Sequence, residues 1–129
     1  GFIIAALDRS ERYHAQCLEL LRDITAPLIT CEGVIAEACY LLRNISGAQQ
    51  AILQNIEQSA ILVPFDLTLG AGRVRQLMAR YCDIPMDFAD ACLVSLAEEY
   101  DTGTILSLDR DFLTYRWGKN RRFEVLGLK

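Results

Sequence analysis

Asp90 stands in Pro85-Met86-Asp87-Phe88-Ala89-Asp90-Ala91-Cys92-Leu93-Val94-Ser95-Leu96-Ala97-Glu98-Glu99, which after Asp87 is apolar on nearly every side until Glu98 and Glu99. A helix without a polar stripe is buried. A carboxylate one turn inside it is costly unless a metal ion or another polar partner meets it. A bland reading applies as well: Asp87 suits an N-cap, and Asp90, three residues on, can reach back to the cap's N–H and gains from the positive end of the helix. On this stretch alone, capping and catalysis both stand.

Glu37 repeats the pattern, because Val34, Ile35, Ala36, Ala38, Cys39, Leu41 and Leu42 around it are apolar. A second buried carboxylate is therefore expected there. Glu32 differs: it opens the helix, where its charge suits the dipole, and five residues turn it well away from Glu37. A third acid, Asp109, directly follows the apolar segment Thr104-Ile105-Leu106-Ser107-Leu108, and a period of two puts Ser107 on its side. Acidic oxygens clustered without histidine or patterned cysteine suit a hard divalent cation such as Mg²⁺ or Mn²⁺. Such an ion relieves the mutual repulsion, orients a phosphodiester and lowers the pKa of an attacking water. Metal-assisted phosphodiester hydrolysis is the matching chemistry.

The elements that would hold these acids alternate along the chain. Apolar periodicity predicts helices over 10–23, capped by Ser10, then over 32–43, 48–58, 67–81 and 87–100. Short apolar segments at 28–31, 60–65, 104–108 and 123–128 read as strands. The opening Gly1-Phe2-Ile3-Ile4-Ala5-Ala6-Leu7 is a continuous apolar run. Helices alternating with strands call for an open parallel α/β sheet that binds ligands beyond the carboxyl ends of its strands, which is where Asp109 falls.

The 129 residues, 52% of them hydrophobic, fit a single domain over 1–129 with a sizeable core. No apolar run is long enough to span a membrane and no leader pattern opens the chain, so a cytoplasmic protein is expected. Five cysteines (Cys17, Cys31, Cys39, Cys82, Cys92) without a C-x-x-C pair argue for reduced thiols rather than zinc or disulfides. His14 is the sole histidine, in a polar helix start, and reads as a surface residue. The net charge of −4 argues against a general nucleic-acid binder. However, Arg73, Arg75, Arg80, Arg110, Arg116, Lys119, Arg121 and Arg122 all follow Gly72. If the acids are gathered in a metal site, the rim around it is more basic than the net charge says; a solvated charged face is the competing reading.

An apolar helix with Ala36-Glu37-Ala38, the segment Asp87-Phe88-Ala89-Asp90-Ala91, and Ile105-Leu106-Ser107-Leu108-Asp109-Arg110-Asp111-Phe112, in this order and spacing, resemble the PIN-domain family, most closely its VapC-like toxin ribonucleases. The likeness covers essentially the whole chain. It implies a three-layer α/β/α sandwich around a central parallel sheet, Mg²⁺ or Mn²⁺ dependence, endonucleolytic cleavage of RNA, pairing with a small antitoxin protein, and a homodimer. Carried over, Glu37, Asp90 and Asp109 are the catalytic metal-site acids and Ser107 is the hydroxyl beside the last of them. Asp87 as a cap and Asp111 as a turn residue have supporting roles, and Arg73, Arg110, Arg116 and Lys119 face the RNA. The family pattern has a further Asp at the end of a first, central strand, just before the glycine at which this sequence opens. The resemblance therefore implies an N-terminally incomplete domain, with that strand upstream of Gly1. Two other readings remain: a degenerate PIN-like module that binds RNA or protein without catalysis, and a receiver-type phosphoacceptor, for which Lys119 and Lys129 are the only lysines on offer.

Overall fold

Capping chemistry sets where the helices begin. The computed structural model describes residues 6–8, 10 and 12–127. Its helices are α1 (His14–Arg22), α2 (Glu32–Leu41), α3 (Ala48–Glu57), α4 (Leu67–Arg80) and α5 (Phe88–Glu99). Asp66 caps α4 by accepting from the N–H groups of Thr68 and Leu69, and Asp87 caps α5 by accepting from that of Asp90. The first helix starts later than expected. Ser10 donates its N–H and hydroxyl to Asp8 at 2.9 and 2.6 Å and so closes a local turn instead of capping a helix. The Gly1–Ala5 part of the apolar opening run lies outside the described residues, as does Leu128 at the end of the last expected strand.

The strands are shorter than the apolar segments that contain them. β1 (Leu28–Ile29) runs parallel to β2 (Ile61–Leu62), and β3 (Thr104–Leu106) runs parallel to the last strand, β6 (Glu124–Leu126). The expected α/β class and parallel pairing are present. One continuous sheet is not: the two pairs are separate, and no strand bridges them among the described residues. Leu28, Ile29, Ile61, Ile105, Leu106 and Leu126 instead line a cleft of about 520 Å³. An antiparallel hairpin of β4 (Arg116–Trp117) and β5 (Arg121–Arg122), which the apolar pattern does not signal, precedes β6.

The main core gathers on α5. Ala91, Cys92, Val94, Leu96 and Ala97 pack with Val74 and Leu77 of α4 and with Phe112, Tyr115, Trp117 and Phe123 from the C-terminal segment. Gly103 lies so close to the Trp117 indole that a Cβ would collide with it. By contrast α2 packs on one side only, against α3 and α5. Ala38 is its one buried residue, while Tyr40 and Leu41 are 62% and 51% exposed. The expectation that Glu37 is buried is thereby corrected: it is exposed, because nothing among the described residues covers the outer face of α2. Cys17, Cys31 and Cys92 are buried, and no disulfide forms among the described residues. No helix of the described residues is long and apolar enough to cross a membrane.

Candidate functional site

The N-terminal turn of α5 meets the segment after β3 at one end of the cleft. Asp87, as cap, must keep its carboxylate at the helix start to accept from the Asp90 N–H at 2.8 Å. Asp90 follows on the first turn and is half-buried. After β3, the Ser107 hydroxyl oxygen accepts from the Asp109 N–H at 2.9 Å, and Asp109 accepts from the Asp111 N–H at 2.8 Å. These two bonds open a 3₁₀ turn, Arg110–Leu113, with Asp109 as its cap. Phe112, fully buried in the core, anchors that turn from below.

Two separated segments thus bring four aspartates into one field. Burial, then the charges of Asp87 and Asp109, and a smaller push from Asp111, raise Asp90 from an ordinary 3.8 to about 7. The one influence in the other direction is the Tyr115 hydroxyl, 3.4 Å from Asp90 Oδ2. Desolvation and the neighbouring Asp109 also hold Asp111 above its usual range. Among the described residues no lysine or arginine forms an ion pair with any of these acids; the ion pairs are Arg73 with Glu98 and Arg121 with Asp101. Glu37 lines the same cleft from α2, together with Asp87, Asp90, Ser107 and Asp109, but it is not among the charges acting on Asp90.

The four arginine and lysine candidates have different situations. Arg73 is held in a bidentate pair with Glu98 at 2.7 and 2.8 Å, and Glu98 also accepts from the Gly118 N–H. Arg116 donates Nη1 to the carbonyls of Leu113, Thr114 and Tyr115, closing the end of the 3₁₀ turn. Arg110 and Lys119 are exposed. Tyr115 is the residue the pattern of acids did not announce. Its only signal is an aromatic residue placed shortly after an acidic turn.

Among the described residues no three acid, histidine or cysteine side chains converge into a ready-made metal cage. The donor set still fits a hard divalent cation. It is all carboxylate, and it holds a half-buried acid pressed by like charges, with no ion pair to a basic side chain among the described residues. Mg²⁺ is commonly held by one or two carboxylates with waters and substrate phosphates completing its shell, so a full protein cage is not required.

Comparison with known proteins agrees with this architecture. The chain is 32% identical over 114 residues to "Ribonuclease VapC26" of Mycobacterium tuberculosis (strain ATCC 25618 / H37Rv), an alignment covering 84% of this chain and 82% of the relative. The family model of the PIN domain matches residues 1–118, a span that takes in α2, α5 and the acidic turn after β3. The family-model match over most of the length and the similarity to this relative make this chain a member of the PIN-domain family.

Proposed function

We propose that the protein is a Mg²⁺- or Mn²⁺-dependent endoribonuclease, the toxin of a toxin–antitoxin pair, cytoplasmic and homodimeric, whose partner is a small antitoxin protein. The observation that carries the reading is the uncompensated aspartate cluster around half-buried Asp90 at the mouth of a cleft between parallel strands. Family membership and the similar relative's name support the same class of reaction.

Asp90 and Asp109 would hold the ion, with Glu37 reaching in from α2 across the cleft and Ser107 fixing the backbone of Asp109. When bound, the cation supplies an activated water and charge neutralisation at the scissile phosphate. The chain's own part is to aim the carboxylates. Asp87 does so by ordering the first turn of α5, and Asp111 by continuing the turn that Asp109 caps. With Arg73 and Arg116 already engaged by Glu98 and by backbone carbonyls, contact with RNA phosphates falls chiefly to Arg110 and Lys119.

The test is cleavage of RNA by the full-length protein with and without Mn²⁺ or Mg²⁺. Cleavage is expected only with metal, and Asp90→Asn or Glu37→Gln abolishes it. Activity retained in both variants rejects this site. A second reading, a PIN-like module that binds RNA or protein without catalysis, draws on the lack of three converging acids among the described residues. It predicts that Asp90→Asn leaves RNA binding intact and that Mn²⁺ leaves the melting temperature unchanged.

A further inference from the structure

Tyr115 is the largest fully buried side chain among the described residues, with 0% of its surface exposed. A buried phenol needs a partner for its hydroxyl. Here that partner is Asp90 Oδ2, at 3.4 Å. The ring cannot swing away. Tyr81 presses on it from after α4 with centroids 5.1 Å apart and planes at 65°, and Phe112 lies at 5.2 Å and 84°, both edge-on. Tyr81 is itself fixed, since its hydroxyl oxygen accepts from the Arg116 N–H at 2.9 Å. The Tyr115 N–H donates to the Asp111 carbonyl at 3.0 Å, which ties the tyrosine backbone to the turn capped by Asp109.

One short segment therefore sets two acids that come from different elements: it caps with Asp109 and it reaches under Asp90 with Tyr115. We infer that Tyr115 is a positioning residue for the metal site, its hydroxyl holding the Asp90 carboxylate in the orientation that faces the cleft. The inference rests on the metal-site reading above. At 3.4 Å the contact is long for O–H···O, as hydrogen bonds at catalytic groups often are before ligand is bound. Hydrogen-bond partners behind metal ligands commonly account for 10- to 100-fold in metal affinity or activity.

The experiment compares wild type, Tyr115→Phe, Asp90→Asn and the double variant of the full-length protein, with Tyr81→Phe as control. Mn²⁺ affinity is read from the metal-induced rise in melting temperature, and RNA cleavage is followed at saturating Mn²⁺. Tyr115→Phe is expected to weaken Mn²⁺ binding roughly tenfold and to lower kcat by 10- to 100-fold, leaving KM for RNA unchanged. In the Asp90→Asn background, Tyr115→Phe then has no further effect on the Mn²⁺ response. Tyr81→Phe lowers the melting temperature but leaves Mn²⁺ affinity as it is. If Tyr115→Phe binds Mn²⁺ and cleaves like wild type while Asp90→Asn does neither, the positioning role is wrong and the metal site survives. If Asp90→Asn itself keeps the Mn²⁺ response, the underlying site reading falls instead. Should Tyr115→Phe melt early, the double-variant cycle is run below its transition. Additive effects on the metal-free melting temperature overturn the proposal, and coupled ones support it.

Discussion

A carboxylate held at about 7 inside a fold makes stability depend on pH in a direction opposite to the usual paired aspartate. Asp90 keeps its proton in the folded protein up to about 7, whereas the unfolded chain releases it near 3.8. The folded state thus binds more protons between those values, so Asp90's contribution to stability falls as pH rises through that window and is flat above it. The metal-free difference in urea midpoint between wild type and Asp90→Asn isolates this slope from other acids. We expect the variant to gain on wild type from pH 4 to 7 and to be more stable at pH 8 by about 1–2 kcal/mol, well under the full conversion of the shift because the group is partly solvated. Mn²⁺ at pH 8 should reverse the order, since ligation uses the charged carboxylate that wild type presents at that pH and relieves its repulsion with the neighbouring acids. A wild-type midpoint that rises relative to Asp90→Asn across that window contradicts the burial of Asp90 among like charges.

At the scale of elements, two helices start with the same device for different ends. Asp66 and Asp87 both cap through an Asp side chain, but only Asp87 has another carboxylate one turn on. Asp66→Ala removes a cap far from the site, so it should cost about 1 kcal/mol and lower the melting temperature by a few degrees without changing cleavage or Mn²⁺ affinity. Lost activity at a temperature where the variant stays folded would mean that α4 does more than support α5. The Asp87 cap and the five helices were legible because apolar spacing and capping residues are local signals, whereas the expected Ser10 cap lost to a turn with Asp8 and the Asp66 cap went unread. The β4–β5 hairpin was not. Its seven residues, Arg116-Trp117-Gly118-Lys119-Asn120-Arg121-Arg122, carry one large apolar side chain, and their order comes from contacts outside the segment: Glu98 accepts from the Gly118 N–H, and Asp101 pairs with Arg121.

For the whole molecule, the basic residues divide by what already holds them. Arg73 and Arg116 are engaged with Glu98 and with backbone carbonyls, so Arg73→Ala, which leaves part-buried Glu98 without its partner, should reduce stability by about 1–3 kcal/mol, and Arg116→Ala, whose bonds are mostly exposed, by about 1 kcal/mol. Arg110→Ala and Lys119→Ala should leave stability within about 0.5 kcal/mol and instead weaken RNA binding. Taking one cation away from the phosphate backbone should reduce the salt slope of log K by about 0.7 for single-stranded RNA. Binding titrations over a range of salt, set beside urea melts, separate the two classes. Equal loss of RNA affinity in all four variants with stability unchanged would mean that Arg73 and Arg116 leave their internal partners to meet the RNA.

From the sequence alone came the acids worth watching, the order of helices and strands, and the resemblance that the family match bears out. These are properties of spacing: a period of 3.6 or 2, a cap before an apolar run, an acid after a strand. Exposure is a property of neighbours, and only the tertiary structure decided it. The same apolar company that predicted a buried Glu37 surrounds Asp90, yet α5 is covered by α4 and the C-terminal aromatics whereas α2 is covered on one side. The fold also decided that Asp109 and Asp111 share Asp90's field, that the Tyr115 hydroxyl meets its carboxylate, and that Arg73 is paired with Glu98. Each of these joins groups 19 to 25 residues apart through packing, which no local pattern encodes.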